Sequence, residues 1–366
     1  MVLLYIIQNI KGKGGLQHIL FDKINSFALH DEIHVIHFGT DNDRPDYPID
    51  GKVVFRPIDT DADNNKIKSL FKSIKVFYKT VEEIKPDIIV NANTKILSWF
   101  IPFFFRKIPK IAELHNSYDG VRIYNAVAYG KLKRKLHMML RDIVYPLYDK
   151  IIVLTERDKT LWGYNNIDVI PNFTNLHRTA LHTKKKKQMI WIGRLTHQKA
   201  PDLLLEIWDK FCNIDKTWEL IIIGQGNGRY QKQLNDYLNE SPNAERIRYI
   251  PKTDKVADYY QQASLFISTS RYEGLPLVMI EAVTMGLPLL GFDITGNTEV
   301  LKDGVNGVLV PPCGIDEYVH SLAHLCAEKA ILDKMSDESR KIAENFLKET
   351  ILKQWRRLFA DVTNAI

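Results

Sequence analysis

The chain has 366 residues and a mass of 42.4 kDa, so it is long enough for two ordinary domains with full hydrophobic cores. Its 45% hydrophobic and 26% charged residues exclude a disordered chain and are typical of a soluble globular protein. The net charge of +6 is too small to indicate a nucleic-acid-binding protein, but it suits acidic ligands or an anionic surface.

The cysteines and the first residues indicate the cellular compartment in which the protein resides. Cys212, Cys313 and Cys326 are odd in number and lack the spacing of a metal site, which favours a reduced compartment over a disulfide framework. The first residues lack the basic segment and cleavage site of a signal peptide. The longest apolar run, residues 96–105, is too short to cross a bilayer. We therefore expect a cytoplasmic protein that can also lie peripherally on the inner face of the cell membrane.

Short apolar, β-rich runs alternate with helix-length segments, a pattern that predicts βαβ units and parallel sheets. In the first half the predicted strands are Leu3–Ile7, Ile33–Phe38, Val53–Phe55, Ile88–Val90, Ile111–Leu114 and Ile151–Leu154. After a lysine-rich connector the second half gives Met189–Ile192, Leu220–Ile223, Ile247–Ile250, Leu265–Ile267, Leu287–Leu290 and Val308–Val310. Two doubly wound halves with a crevice between them are the economical arrangement. We place the domains at 1–172 and 173–345, and expect the final helix, 346–366, to return to the first half.

The stretch 268–288 predicts a strand end, a loop and a buried helix. Pro276 suits the first helical position, and Gly286 marks the far end. Glu281 is a carboxylate on an otherwise apolar helix, so we expect it to face a polar cavity. Glu273 precedes the helix. The two glutamates therefore predict a ligand site near the helix start.

Arg194 and Lys199 lie across a turn between a predicted strand and a helix. A guanidinium can bind an anion through two hydrogen bonds and an ammonium binds as a point charge, so both can converge on one diphosphate. The start of the following helix would add its dipole. The alternative is two solvated cations near a loop. The position between strand and helix favours the diphosphate site.

Several glycines stand where open α/β folds bind ligands. Gly14 and Gly15 follow the first strand, and Gly224 follows a strand of the second half. Gly274, beside Glu273, leaves room for a ligand to approach the backbone. None has the spacing of a dinucleotide or P-loop motif, so plain tight turns are the alternative. In the loop 295–299 we expect backbone amides to meet a sugar or phosphate.

Two features of the first half have competing interpretations. His115 follows a predicted strand and would project into the crevice from the half opposite Glu273, but a histidine at a strand end is more often structural or exposed. The segment 59–63 carries three aspartates, and an Asp-x-Asp pattern can chelate a divalent cation. Helix capping and solvation explain these carboxylates better. We therefore predict no metal site.

The segment Lys131–Arg141 is basic and has apolar residues at helical spacing. A basic amphipathic helix can lie on anionic lipid. Together with Phe103–Lys107 it forms a candidate membrane face. The alternative is a helix packed on one side and solvated on the other.

Taken together, these motifs resemble the retaining glycosyltransferases of family 4, the glycosyl transferases group 1, which have the GT-B fold. In the family's order the chain has Val169–Asn172, Gly193–Leu195 with Lys199, Glu273–Leu277 through Glu281, Gly286–Pro288, Gly296 with Glu299, and Asp303–Gly307. Single matches arise by chance, but the ordered set is specific. Pro251 and Phe173 depart from the family, which usually has glycine at both positions.

The resemblance implies two Rossmann-like, doubly wound domains that face each other across a central crevice, with the acceptor on the first and a nucleotide sugar on the second. It places the donor diphosphate on Arg194 and Lys199, sugar hydroxyls on Glu273 and the ribose on Glu281. The implied catalytic residues are Glu273, His115, Arg194 and Lys199. The implied donor-binding residues are Gly14, Gly15, Gly193, Arg194, Lys199, Gly224, Gly274, Leu275 and Glu281.

The predicted function is therefore a retaining, metal-independent hexosyltransferase of bacterial surface polysaccharide biosynthesis. It would move a sugar from a nucleotide-diphosphate donor, preferably a UDP-sugar, to a glycan or a lipid-linked saccharide. We expect no cofactor and no nucleic-acid partner. The alternatives are a sugar-nucleotide epimerase of the same fold and a non-catalytic nucleotide-sugar binding module.

Overall fold

The structure is a computed structural model that describes residues 1–12, 14–49, 52–59, 66–93, 96–128, 130–176 and 185–364. The chain divides into two compact units. The first unit contains Met1–Asn172 and the chain from Ile351 onward, and the second contains Phe173–Thr350.

The first unit is built on a parallel sheet, which confirms the predicted βαβ pattern. Its described strands are β1 Val2–Ile7, β2 Glu32–Phe38, β3 Val53–Ile58, β4 Ile88–Asn91, β5 Lys110–Glu113, β6 Lys150–Val153 and β7 Ile167–Val169. They lie in the order β3-β2-β1-β4-β5-β6-β7, and every pairing between them is parallel. The order reverses between β1 and β4, where doubly wound folds bind their ligands.

The helices of the first unit cover this sheet. They are α1 Gly15–Ala28, α2 Lys66–Ile84, α3 Tyr118–Ala128, α4 Lys131–Val144 and α5 Glu156–Trp162, with short 3-10 turns at Ile96–Trp99, Ile101–Phe103 and Tyr145–Leu147. The last helix of the chain, α13 Lys348–Asn364, packs on α1, because the rings of Phe359 and Phe27 lie 5.3 Å apart and Arg356 pairs with Asp31. The end of the chain therefore stabilises the first unit.

The second unit repeats the plan. Its described strands are β8 Gln188–Ile192, β9 Glu219–Ile223, β10 Ile247–Ile250, β11 Leu265–Ser268, β12 Leu289–Phe292 and β13 Gly307–Val310, in the parallel order β10-β9-β8-β11-β12-β13. Its helices are α6 Pro201–Cys212, α7 Arg229–Glu240, α8 Val256–Gln262, α9 Leu277–Thr284, α10 Asn297–Val300, α11 Ile315–Ala327 and α12 Lys329–Ala343, with 3-10 turns at Pro242–Arg246 and Glu344–Phe346. The order reverses between β8 and β11.

Two edge strands, β3 and β7, differ from the sequence prediction. β3 continues to Ile58 through Pro57, where the prediction stopped at Phe55. An edge strand tolerates proline because one side of it needs no backbone donor. β7 was not predicted, because it has three residues with the charged Asp168 at its centre. Lys150 of β6 contacts that aspartate at 2.7 Å across the two strands.

The stretch 268–288 forms the predicted strand end, loop and buried helix, with shifted boundaries. Helix α9 starts at Leu277, and Pro276 is its extended N-cap rather than its first helical residue. Gly286 ends the helical segment with φ +70°. Leu287 belongs to this helix end rather than to the next strand, because its N–H donates to the carbonyl of Ala282 at 2.9 Å. No helix in the described part of the chain is long and apolar enough to span a membrane.

Candidate active site

The second unit brings two predicted site segments to its switch point. The segment from Gly193 to Lys199 follows β8, and Glu273 comes five residues after the end of β11. These two strands are parallel neighbours, so their carboxyl ends lie at the same edge of the sheet. The fold thus gathers a basic loop and an acidic loop from separate parts of the sequence.

At this edge Lys199 and Glu273 form an ion pair. The Nζ of Lys199 lies 2.7 Å from Oε1 of Glu273, and the two side chains are 16% and 7% exposed. The Nε2 of Gln198 donates to Oε2 of the same carboxylate at 3.1 Å. The hydroxyl of Thr269 lies 3.1 Å from the carbonyl oxygens of Lys199 and Ala200, which holds the basic loop on the end of β11. Both oxygens of Glu273 therefore have fixed, cationic or polar neighbours.

Arg194 is placed differently. Its side chain is exposed and makes no ion pair with any residue that the structure describes. The structure therefore does not bring it into contact with Lys199 or Glu273. A guanidinium is always charged and has five N–H donors with which it can bind a ligand.

Gly193 and Gly224 allow the loops after β8 and β9 to pack closely. A Cβ on Gly224, which has φ +141°, would lie 1.9 Å from the carbonyl oxygen of Gly193. A Cβ on Gly193 would lie 3.1 Å from Cγ of Lys199. The N–H groups of both glycines already donate within the sheet, to Ile223 and Ile250. These two glycines therefore matter because they have no side chain that would clash, and not because their amides are free to bind a ligand.

The N-terminal amides of α6 already interact with a side chain of the protein. This differs from the expectation that the start of the helix helps to bind a ligand anion. Asp202 lies in the first turn, and the guanidinium of Arg271 donates to both of its carboxylate oxygens, at 3.0 and 2.5 Å. Burial raises the pKa of Asp202, but hydrogen bonds from Arg271 and from the backbone amides of Asp202 and Leu203 outweigh it and lower the pKa below its usual value. A side-chain anion therefore already occupies the helix start.

Glu281 has a buried partner. It lies on α9 and is partly exposed, and the hydroxyl of Tyr260 donates to its Oε2 at 2.9 Å. Burial, and then the charge of Glu281, raise the pKa of Tyr260 well above its ordinary value. The phenol therefore stays protonated and fixes one carboxylate oxygen.

The loop around Gly296 packs on the loop of Glu273. A Cβ on Gly296 would lie 2.7 Å from the carbonyl oxygen of Gly274 and 2.8 Å from Cβ of Glu273. Two of the amides that we expected to meet a ligand are used inside the loop, because Asn297 and Thr298 donate to the carbonyl of Ile294. Leu275 is 6% exposed, so its side chain belongs to the core.

In the first unit, the glycine loop after β1 ends at the start of α1. Gly14 is the extended N-cap of α1, and its carbonyl accepts from the N–H of His18. Gly15 is the first helical residue. Lys13, which precedes Gly14 in this loop, lies outside the described residues.

His115 lies at the switch point of the first unit. It lines a cavity of about 290 Å³ together with Asn9, Gln17, Glu113 and Asn116. Its Nε2 lies 3.1 Å from Oε1 of Glu113, and its side chain is 8% exposed. The side chain of His115 is therefore largely buried at a polar cavity of the first unit, and its predicted projection toward Glu273 stays a prediction.

Most of the second unit matches the model of a known protein family. Residues 172–342 match the model of the family described as Glycosyl transferases group 1. An uncharacterized glycosyltransferase of Haemophilus influenzae is 28% identical over 360 residues, covering 96% of this chain and 98% of that protein. The amylovoran biosynthesis glycosyltransferase AmsD of Erwinia amylovora is 26% identical over 371 residues, with the same coverage of 96% and 98%.

Similarity to a further relative and to two solved structures extends over nearly the whole chain. A protein of Campylobacter jejuni named as an α-1,4-N-acetyl-D-galactosaminyltransferase acting on a saccharide linked to PP-undecaprenol is 24% identical over 100% of both chains. The solved structure of sucrose-phosphate synthase from Thermosynechococcus elongatus has a TM-score of 0.80 over 100% of both chains at 18% identity. Anabaena HepE in complex with UDP has a TM-score of 0.76 at 18% identity, over 99% of this chain and 100% of that one.

The protein is a GT-B glycosyltransferase. The match to the group 1 model begins at Asn172 and otherwise lies in its second unit, and its relatives include proteins named for bacterial polysaccharide and glycoconjugate biosynthesis. The fold class and the enzyme class predicted from the sequence are confirmed.

The sequence analysis of this glycosyltransferase missed four polar residues that contact the predicted ones. They are Gln198 beside Glu273, Tyr260 beside Glu281, and the buried pair Lys23 and Glu113 beside His115. Glu113 had a usable signal, because it lies two residues before His115 at a strand end. Lys23 and Tyr260 had none, because a lysine or tyrosine in a helix is ordinary.

No group of three or more His, Cys, Asp or Glu side chains that could hold a metal ion is found among the residues that the glycosyltransferase structure describes. Asp59 belongs to these residues, but the remainder of the segment 59–63 lies outside them. The interpretation of that segment as capping therefore stays a prediction.

The surface of α4 is unusual for a helix of a globular unit. Its inner side carries Arg141, which is 6% exposed and has its guanidinium 4.7 Å from the ring centroid of Trp162. Its outer side presents apolar residues, namely Leu132 at 83%, Leu136 at 50%, Met139 at 53% and Ile143 at 56% exposure. The expected contribution of Phe103–Lys107 to this face does not hold for Phe104 and Phe105, which pack on Phe77 and Tyr78.

Proposed function

We propose that the protein is a retaining, metal-independent glycosyltransferase. Its donor is a nucleotide-diphosphate sugar, preferably a UDP-sugar, and its acceptor is a glycan or lipid-linked saccharide of a bacterial surface polysaccharide. The observation that carries the proposal is the 2.7 Å pair of Lys199 and Glu273 near the end of β11. The guanidinium of Arg194, which makes no ion pair with a described residue, lies on the same loop as the lysine.

The donor class follows from charge and from the relatives. Two cations on one loop suit a diphosphate, which carries at least two negative charges. UDP is bound by HepE, a structural neighbour, which supports a uridine donor. The Campylobacter jejuni relative is named for a PP-undecaprenol-linked acceptor, which supports a lipid-linked saccharide.

We assign the residue roles as follows. Arg194 and Lys199 hold the diphosphate, Glu273 binds hydroxyls of the transferred sugar, and Glu281 binds the ribose. Gly193, Gly224, Gly274 and Leu275 shape the loops around the donor, and Gly14, Gly15 and His115 serve the transferred sugar from the first unit. The ion pair prepares this arrangement, because Lys199 can turn to a phosphate oxygen while Gln198 still holds Glu273.

The chemistry then rests on charge stabilisation. When the bond between the anomeric carbon and the phosphate oxygen breaks, negative charge grows on the leaving diphosphate and the sugar becomes oxocarbenium-like. Arg194 and Lys199 stabilise that charge directly, since the amides of Gly193 and Gly224 are already bonded. The acceptor hydroxyl attacks from the leaving group's face and passes its proton to the departing phosphate, which retains the anomeric configuration. Glu273 orients the sugar and is not the nucleophile.

The test is a transfer assay with a panel of UDP-, GDP- and ADP-sugars, lipid-linked and free saccharide acceptors, and EDTA throughout. Transfer in EDTA with retention, read by NMR of the product, is the expected result. Inversion, or transfer that needs an added divalent ion, would contradict the corresponding part of the proposal. Donor that is epimerised without acceptor would favour the epimerase, and tight binding without turnover would favour the binding module.

The outer side of α4 supports a peripheral position on the membrane. Leu132, Leu136, Met139 and Ile143 form one exposed stripe at helical spacing, and the exposed Lys135 lies between them. An apolar stripe with basic neighbours suits a bilayer with anionic headgroups. A membrane position would also bring the enzyme to a lipid-linked acceptor.

A further inference from the structure

A lysine and a glutamate are paired inside the first unit. The Nζ of Lys23, on α1, donates to Oε1 of Glu113, at the end of β5. The two residues are 1% and 4% exposed. Removing two charges from water is costly, and a well-packed apolar pair is commonly as stable or more stable. Stability alone therefore does not account for charges at these positions.

Aromatic rings close the pair off on the side away from the cavity. The ring centroid of Trp355, on α13, lies 3.8 Å from Nζ of Lys23, and that of Tyr5, on β1, lies 5.7 Å away. Lys23 is thus held between the carboxylate and two rings, which fixes the position of the ammonium. The last helix of the chain contributes directly to this arrangement.

The remaining side of Glu113 faces the cavity at the switch point. Glu113 and His115 both line that cavity. The Oε1 that accepts from Lys23 also lies 3.1 Å from Nε2 of His115. Within the described residues Oε2 of Glu113 makes no hydrogen bond, and the N–H of His115 is not yet aligned for one. Such bonds are often poorly aligned without substrate and tighten in the complex.

The charge state of Glu113 decides what it can do. Burial raises its pKa, but the charges of Lys23 and His115 outweigh it and hold the pKa at about 2. The carboxylate is therefore ionised at neutral pH and can only accept hydrogen bonds. A neutral histidine beside it must turn an N–H toward it, and its other nitrogen then becomes an acceptor.

We infer that Glu113 is a positioning residue for His115: its Oε1 holds the Nε2–H of the imidazole, and Nδ1 is the nitrogen that accepts a hydrogen bond from a ligand in the cavity. Lys23 keeps the carboxylate in place for this task. The inference rests on the proposed function only where it takes that ligand to be a substrate hydroxyl.

The groups that bear on this pair come from several parts of the first unit. They are Lys23 on α1, Tyr5 on β1 and His115 just after β5, while Asp31 just before β2 and Arg356 on α13 act on Tyr5. Burial, and then the charge of Glu113, raise the pKa of Tyr5 well above its ordinary value, so it stays neutral. Lys23 and Glu113 are therefore the charged groups that lie beside His115 in this pair.

The test is a nitrogen-15 NMR titration of the full chain, with His115 assigned from the spectrum of His115→Gln. In the wild type we expect the neutral imidazole to carry its proton on Nε2. Glu113→Gln should reduce the share of the Nε2-protonated form because the charged acceptor is lost, whereas Lys23→Met, which keeps the carboxylate, should leave that form dominant. His34, which contacts Glu32 at the other end of the sheet, is the internal control and should not move.

Glu113→Gln leaves the charge of Lys23 buried without a partner and can prevent folding. The double variant Lys23→Met/Glu113→Gln buries no unpaired charge and replaces it in that case. In that variant the Nε2-protonated tautomer should lose its dominance. The inference is overturned if the Nε2-protonated form stays dominant in the double variant, or if the wild-type imidazole carries its proton on Nδ1.

A second arm measures release of UDP from whichever UDP-sugar the enzyme turns over. The losses in kcat caused by His115→Gln and by the double variant should not add when combined, because Glu113 acts through His115. Fully additive losses would overturn the positioning role. Absence of turnover would count against the proposed function, while the NMR titration would still decide the role of Glu113.

Discussion

Lys199 and Glu273 face each other at 2.7 Å, although one follows β8 and the other follows β11. Their side chains are 16% and 7% exposed, so each is a largely buried charge that the other compensates. Removing one partner of such a pair strands the other charge, whereas removing both does not. Stability and activity should therefore respond differently to single and double substitutions.

Lys199→Met should lower transfer by about 100-fold to 1,000-fold, because one stabilising contact to the developing diphosphate charge is lost. Lys199→Met/Glu273→Gln should be more stable than either single variant and equally inactive. Lys210→Met is the matched control, since Lys210 pairs with Asp316 at the same 2.7 Å but with both side chains exposed. Transfer assays and urea unfolding measure the two effects. Near-normal transfer in Lys199→Met would remove Lys199 from the site.

Tyr260→Phe should weaken the binding of UDP several-fold and leave kcat nearly unchanged. The substitution removes the hydroxyl that fixes Oε2 of Glu281, which we assign to the ribose. Stability should fall by about 1 to 2 kcal/mol, the usual cost of losing a buried hydrogen bond to a charged group. Isothermal titration with UDP measures the affinity.

Tyr318→Phe is the control for this experiment. Tyr318 is also fully buried, and its hydroxyl donates to the carbonyls of Ser268 and Leu290. It should lose comparable stability and keep its affinity for UDP. Equal affinity in both variants would contradict the role of Glu281.

Gly224→Ala should be far more damaging than Gly228→Ala. Both glycines have positive φ. A Cβ on Gly224 would lie 1.9 Å from the carbonyl oxygen of Gly193, whereas a Cβ on Gly228 would have no described heavy atom within 4 Å outside its chain neighbours. Gly228→Ala should cost about 1 to 3 kcal/mol for its backbone conformation, since Gly228 has φ 76° and ψ −142°. Gly224→Ala should cost about 1 to 3 kcal/mol more, as overpacking does, and should also weaken donor binding through the displaced Arg194 loop. Equal losses in urea unfolding would show that the loops can separate freely.

The sheets could be predicted from the sequence because buried parallel strands are continuous apolar runs. Leu220–Ile223 and Leu265–Ile267 are such runs, and both are strands. Two of the edge strands, β3 and β7, are interrupted by charged residues or proline, which weakens this signal. The predicted strand therefore stopped at Phe55, before Arg56 and Pro57, and Ile167–Val169 with its central Asp168 was missed.

The site was predictable where chemistry depends on a side chain near a strand end, as at Lys199 and Glu273. It was not predictable where a partner comes from a distant helix. Lys23 lies on α1 and Trp355 on α13, and only the folded first unit brings them to Glu113. Backbone amides were misjudged for a similar reason, since Asp202 fills the start of α6 from within the helix itself.

Asp158 should make the protein less stable as the pH rises. Burial raises its pKa to about 6, although hydrogen bonds from the amide of Tyr118 and from Thr155 oppose the change. Its carboxyl takes up a proton more readily in the folded than in the unfolded chain, so its contribution is present at low pH and is lost between about pH 4 and pH 6.

Asp158→Asn keeps an oxygen that can accept from the amide of Tyr118 at 2.8 Å and removes the titration. The stability of the variant relative to the wild type should therefore rise by about 2 kcal/mol between about pH 4 and pH 7.5, measured by urea unfolding. A difference that stays constant over this range would show that the folded-state pKa of Asp158 is not raised.

Membrane binding should depend on the outer side of α4. In co-sedimentation at low salt, vesicles containing anionic lipid should bind the protein, and Leu136→Ser/Met139→Ser should reduce the partition coefficient by about tenfold or more, because two half-exposed apolar side chains no longer enter the bilayer. Ile214→Ser, which changes an apolar residue of the second unit with 61% exposure, is the control and should bind like the wild type.

Salt separates the two forces in this contact. Added NaCl should weaken binding to anionic vesicles because it screens the basic residues, while the apolar contribution remains. Binding that Leu136→Ser/Met139→Ser leaves unchanged would point to another surface. If anionic vesicles do not sediment the wild type at low salt, α4 is a solvated helix with an apolar outer side, and the lipid-linked acceptor loses its structural support.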